Sequence, residues 1–127
     1  MRRTIFQRYG GFASVSRVVM GFYDKILDSP TVSPYFANTD MKRLIDHQTK
    51  FMASLMGGPA SYTNEQLERI HARLGITEPA FFEVVELLSE TLEDFDFEEE
   101  DVQQVENEMI QRKNFIIAKR GMIDGRP

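Results

Sequence analysis

Apolar residues recur along this chain at three- and four-residue spacing, in stretches bounded by glycine, proline and capping residues, and no segment sustains strand alternation. That pattern predicts an all-helical fold. Arg3 to Tyr9 reads as a short helix stopped at Gly10-Gly11. From Phe12 to Leu27, Val15, Val18, Val19, Phe22 and Ile26 form one stripe, closed by Asp28-Ser29-Pro30 because proline restrains the residue before it. Val32 to Phe36, interrupted by Pro34, has room for one helical turn. Thr39 or Asp40 caps a helix reaching about Met56, ended by Gly57-Gly58-Pro59. Thr63 and Gln66 make a capping box for the next helix, which Gly75 stops. Thr77 caps another, with Pro79 in its first turn, running to about Asp94 on Phe81, Val84, Val85, Leu88 and Leu92. The acidic run Glu98 to Asp101 suits a helix N-terminus, and the stripe then continues through Val102, Val105, Met109 and Ile116.

The chain has two histidines, and each falls in such a stripe. Leu67, Ile70, His71 and Leu74 share one face; Leu44, His47, Gln48, Phe51 and Leu55 share another. An imidazole in an apolar stripe points toward the core, where a polar ring without a partner costs ~2 kcal/mol or more. A carbonyl, a hydroxyl or a metal must receive it. One such histidine reads as a hydrogen-bonded core residue; two from separate helices point to a shared ligand. Gln48 and Tyr23 pose the same question, since both interrupt apolar faces. Either they hydrogen-bond each other in a plain core, or they line a pocket floored by His71.

Composition narrows the chemistry. At 127 residues the chain is expected to form one domain over 1–127, with its core over about 8–120 and a loose tail at 121–127. A net charge of −5 argues against nucleic-acid binding, which needs a positive field. The lack of cysteine removes disulfides, thiolate ligation and cysteine nucleophiles. No apolar run approaches a membrane span and the N-terminus carries no secretory pattern, so a cytoplasmic protein away from membranes is expected. Phosphate-binding glycine loops, HExxH and calcium loops do not occur, and neither Ser54 nor Ser61 sits in a nucleophile elbow. A structural zinc site would need carboxylates to complete its shell.

The order of residues is the more specific signal. Phe22-Tyr23, Pro34-Tyr35-Phe36, Asp40-Met41, His47-Gln48 with Phe51, Gly57-Gly58-Pro59, Tyr62-Thr63, and His71 followed by Leu74-Gly75-Ile76-Thr77 resemble the group I truncated haemoglobins in both residue type and spacing. The match runs from about Arg8 to Leu92. The resemblance implies a two-over-two helical sandwich around non-covalent haem b. His71 matches the proximal histidine that ligates iron, and Phe36 the phenylalanine packed on the haem plane. Tyr23 and Gln48 match the distal pair that hydrogen-bonds bound dioxygen, and Leu44 the apolar residue above the iron. Phe51 and Met52 match positions lining the distal pocket and its tunnel, and Val84 lies where the tunnel passes the following helix. Tyr62 joins His47 in the implied cofactor-binding set.

His47 resembles the cyanobacterial-type subset, in which a distal histidine binds ferric iron. Two poses compete for it, inward as a second iron ligand with His71 or outward to a haem propionate, and the resemblance implies that the ligand-free ferric protein is at least partly six-coordinate through His47 and His71. The chain has no histidine after His71, so the vinyl link found in some of those members is not expected. It also lacks a long polar N-terminal extension, which weakens the case for rapid nitric-oxide dioxygenation. The expected function is reversible binding of dioxygen, nitric oxide or carbon monoxide, under tight distal hydrogen bonding. Nitric-oxide dioxygenase or peroxidase chemistry, and bis-histidyl electron transfer or sensing, are the alternatives. Catalysis would require a separate reductase, since the chain carries no flavin or nicotinamide domain; a monomer or weak dimer is expected.

Overall fold

The computed structural model describes residues 3–37, 40–58 and 76–117, and every regular element among them is helical. Six α-helices occur there: α1 (Ile5–Arg8), α2 (Gly11–Asp28), α3 (Met41–Leu55), α4 (Glu78–Asp94), α5 (Glu99–Gln111) and α6 (Lys113–Ile116), with a 3₁₀ turn at Ser33–Phe36 between α2 and α3. The Thr63–Gln66 box, Tyr62, His71, Gly75 and the tail at 121–127 lie outside the described residues.

Local chemistry accounts for the boundaries. Thr4 and Gln7 close a reciprocal capping box on α1, Asp40 accepts from the Arg43 amide on α3, and Thr77 accepts from the Ala80 amide on α4. Helix α3 ends in a Schellman motif: Gly57, at φ 82°, donates to the Ser54 carbonyl at 3.2 Å, and Gly58 to the Ala53 carbonyl at 2.8 Å. A Cβ on Gly58 would meet that Ala53 oxygen and the Phe6 ring, each at 2.9 Å. Both glycines are therefore required, one for its dihedral and one for its lack of a side chain. Helix α4 ends the same way without glycine, since Asp96 takes φ 64° while Phe97 donates to the Leu92 carbonyl at 3.0 Å.

Several boundaries differ from the sequence reading, and α1 spans Ile5–Arg8 rather than Arg3 to Tyr9. Helix α2 starts at Gly11 rather than Phe12, behind the positive φ of Gly10. The last stripe is not one helix: it breaks at Arg112, and Ile116 belongs to the short α6.

Helix α2 packs on α3 and on α4, α4 on α5, and α5 on α3, which produces two helix pairs stacked in a sandwich. The stripes meet in the middle. Val18, Val19, Ala53 and Val105 are wholly buried, and Phe81, Leu88 and Leu92 nearly so. A fully buried side chain of Val, Leu or Phe size contributes ~1.5–3 kcal/mol, so this seam outweighs the weak propensity of any single helix.

Helix α1 is latched across the sandwich. Phe6 donates its amide to the Met56 carbonyl at 3.0 Å, the Tyr9 ring stacks on Phe97 with centroids 3.8 Å apart, and Arg8 grips Asp101 with both guanidinium arms at 2.9 and 2.6 Å. The Tyr9 hydroxyl donates to Asp101 at 2.6 Å and accepts from the Glu98 amide at 3.0 Å. A tyrosine from α1 thus satisfies the amide of the α5 cap residue, whose own side chain makes no cap bond. Arg8 and Tyr9 together hold the Asp101 carboxyl below the usual carboxylate range.

Candidate functional site

One cavity gathers the residues that the sequence singled out. Helix α2 brings Phe22, Tyr23 and Ile26 to it, the 3₁₀ turn brings Phe36, and α3 brings Leu44, Gln48, Phe51 and Met52. The far wall is Ile76, then Phe81, Val84 and Leu88 from α4, Met109 from α5 and Ile116 from α6. The α3 contribution follows from geometry: Leu44, Gln48 and Met52 are successive four-residue steps on one helix face.

Tyr23 is 4% exposed. Its ring is fixed between aromatics, tilted against Phe22 at 5.2 Å and edge-on to Phe36 at 5.7 Å. Burial pushes its pKa above the usual phenol range, so the hydroxyl is neutral and available as a donor at physiological pH. No described residue hydrogen-bonds that hydroxyl, and none bonds the Gln48 amide. In particular Tyr23 and Gln48 do not bond each other, which removes the plain-core reading of the pair. Among the described residues no fully enclosed side-chain nitrogen or oxygen lacks a partner, and Tyr23 and Gln48 both line the cavity.

His47 is exposed and is not among the residues that line the cavity. Helical residues are spaced by about 100°, so placing Gln48 inward turns its neighbour out, onto the face that carries exposed Arg43 and Lys50. His71 and Tyr62 lie outside the described residues.

The sequence reading missed about half of the lining. Phe22, Ile26, Ile76, Phe81, Leu88, Met109 and Ile116 were legible only as stripe or flanking residues, and a stripe facing a cavity has the same spacing as one facing core. Among the described residues no group of histidine, cysteine and carboxylates could hold a metal ion by itself, and no helix is long and apolar enough to cross a membrane.

Such an arrangement suits a flat apolar cofactor with a small polar molecule beside it: an aromatic and aliphatic enclosure, with two unpartnered hydrogen-bonding groups on one side. The fold and cavity together define a globin-type helical sandwich.

Comparison with known proteins agrees. The family model described as bacterial-like globin matches residues 4–118. A group 1 truncated hemoglobin of Tetrahymena thermophila is 32% identical over 91 residues, covering 72% of this chain and 75% of the relative. One from Chlamydomonas moewusii is 36% identical, covering 70% and 53%. In structure, the truncated hemoglobin of Tetrahymena pyriformis in its Fe(III) form superposes with a TM-score of 0.84 at 26% identity, over 92% of this chain and all of that one. The 2/2 hemoglobin of a Synechococcus species, in the cyanomet state with covalently attached heme, gives 0.83 at 27% identity over 91% and 98%. The chain belongs to the group I truncated haemoglobins within the bacterial-like globins. Membership implies a haem group and diatomic gas ligands.

Proposed function

We propose that this chain binds haem b non-covalently and holds dioxygen or another diatomic ligand reversibly, with Tyr23 and Gln48 as the distal hydrogen-bond donors. The observation that carries the reading is the pair itself: two polar side chains open onto one apolar cavity, with no hydrogen bond to any described residue. Evolution of a plain core would pair or remove such groups, because each leaves ~1–3 kcal/mol of desolvation uncompensated.

Haem, when bound, supplies an iron that takes dioxygen, nitric oxide or carbon monoxide. The chain's own residues do the rest. Tyr23 stays neutral and points its hydroxyl into the cavity, held by Phe22 and Phe36. Gln48 offers its amide from the neighbouring helix, and Leu44 with Phe51 excludes water. Each donated bond stabilises a partly negative ligand by ~0.5–1.5 kcal/mol net, more in a dry cavity than in water. Two together slow ligand release tens-fold, which suits storage, sensing or slow redox work better than delivery.

His71 is the proposed proximal ligand, on its place in the family pattern and because the other histidine of the chain faces outward. The outward pose of His47 supports a role near the propionate edge over axial ligation. The non-covalent attachment rests on the absence of any histidine beyond His71 in the sequence.

The test is an absorption titration with ferric haem, followed by reduction and stopped-flow oxygen release. Stoichiometric haem uptake, weakened strongly in His71→Ala, is expected. Gln48→Leu is expected to release oxygen severalfold faster. Unchanged haem retention in His71→Ala would defeat the proximal assignment.

A further inference from the structure

The methionines of this chain divide by surroundings in a way the globin reading does not use. Met20 is 55% exposed on α2. Met56 is 2% exposed and lies outside the cavity lining. Met52 and Met109, at 2% and 6% exposure, are just as closed to bulk solvent, yet both line the cavity, one from α3 and the other from α5. Met52 follows Gln48 by one helical turn on the same face, so its thioether shares a wall with that amide. A leucine would serve an apolar wall equally well; a thioether differs in being a polarisable nucleophile that accepts an oxygen atom.

We propose that Met52 and Met109 form a sulfoxidation site for hydrogen peroxide entering the cavity. A sulfur lone pair attacks one peroxide oxygen, the S–O bond forms and the O–O bond breaks. The departing oxygen leaves as hydroxide and takes up the proton released from the transferred oxygen, so that thioether plus hydrogen peroxide gives sulfoxide plus water. Sulfur loses two electrons and peroxide gains them. Tyr23 and Gln48 orient the peroxide and hydrogen-bond its departing oxygen, being donors with no described protein partner. The product puts a polar S=O group into a wall of Phe22, Ile26 and Leu88, so oxidation at this site lowers retention of an apolar cofactor.

The inference shares with the proposed function the premise that small polar molecules enter this cavity and meet Tyr23 and Gln48 as donors, but the oxidation itself needs no bound haem. The experiment treats the full chain, after incubation with ferric haem, with limiting hydrogen peroxide. It records haem uptake by absorption and maps oxidised methionines by peptide mass spectrometry over time. Met52 and Met109 are expected to oxidise severalfold faster than Met20, with Met56 unmodified as the equally buried reference. An order that follows solvent exposure, with Met20 first and Met52 and Met109 intact, overturns the proposal even where haem is bound. Haem uptake failing while Met52 and Met109 still oxidise first would defeat the haem reading and leave this one standing.

Discussion

Replacing Tyr23 with phenylalanine separates the ligand-binding role of the hydroxyl from any structural one, because the two predict opposite signs. The ring is nearly sealed, at 4% exposure, and its packing against Phe22 and Phe36 involves the aromatic face and edges, which phenylalanine keeps. The hydroxyl makes no hydrogen bond to a described residue, so its removal breaks no bond among them. A buried hydroxyl without a partner costs about 1–3 kcal/mol. Here the group borders a cavity rather than solid core, and transient water recovers part of that cost. The chain without added haem is therefore expected to gain up to about 1 kcal/mol in Tyr23→Phe, equivalent to a rise of roughly 3–5 °C in Tm for a domain of this size. The haem-loaded protein is expected to lose oxygen about tenfold faster, a change of about 1.4 kcal/mol in the bound state. Thermal unfolding by circular dichroism and stopped-flow oxygen release measure the two effects. A fall in Tm of several degrees would show that the hydroxyl serves the fold, and the argument from the unpartnered pair would fail.

Three further outcomes follow from other parts of the molecule. Gly58→Ala sets a Cβ 2.9 Å from the Ala53 carbonyl oxygen and the Phe6 ring, and is expected to cost about 1–3 kcal/mol in urea unfolding, the range for overpacking a tight site; an unchanged midpoint would mean that the α1–α3 junction gives way freely. Asp101→Asn removes the charge that Arg8 and Tyr9 hold, and because the folded carboxyl titrates below its unfolded value, that stability is complete above about pH 4 and lost as pH falls through the folded pKa. The wild-type advantage over Asp101→Asn in urea midpoint should thus shrink on acidification below about pH 4 and stay flat above about pH 5; a gap that widens on acidification would reverse the assignment. His47→Leu is expected to leave the ferric absorption spectrum of the haem-loaded protein in the same spin state, since the residue faces outward; a conversion from low to high spin would show that the imidazole swings in to the iron.

Most of the helices and several of their ends are legible in the sequence, because those are decided within a turn or two of the chain. The Asp40 and Thr77 caps, the Gly57-Gly58 stop and the apolar stripes act over three to five residues and are legible without a fold, whereas the sequence reading places the Thr4 cap inside the first helix. The membership of Tyr23, Phe36, Leu44, Gln48, Phe51, Met52 and Val84 in one site was legible only through the family pattern, and the structure brings these seven to one cavity. What the stripes left open was rotation about the helix axis. Leu44-His47-Phe51 and Leu44-Gln48-Phe51 both satisfy helical spacing, and only the packing of α3 on α2 decides that Gln48 faces in and His47 out. The same limit hid Asp101. In sequence it is one of four consecutive acids suited to a helix N-terminus, whereas in the fold it is a buried carboxylate held by an arginine 93 residues away. No local rule reports such a partner, because the pair exists only once α1 is folded back onto the start of α5.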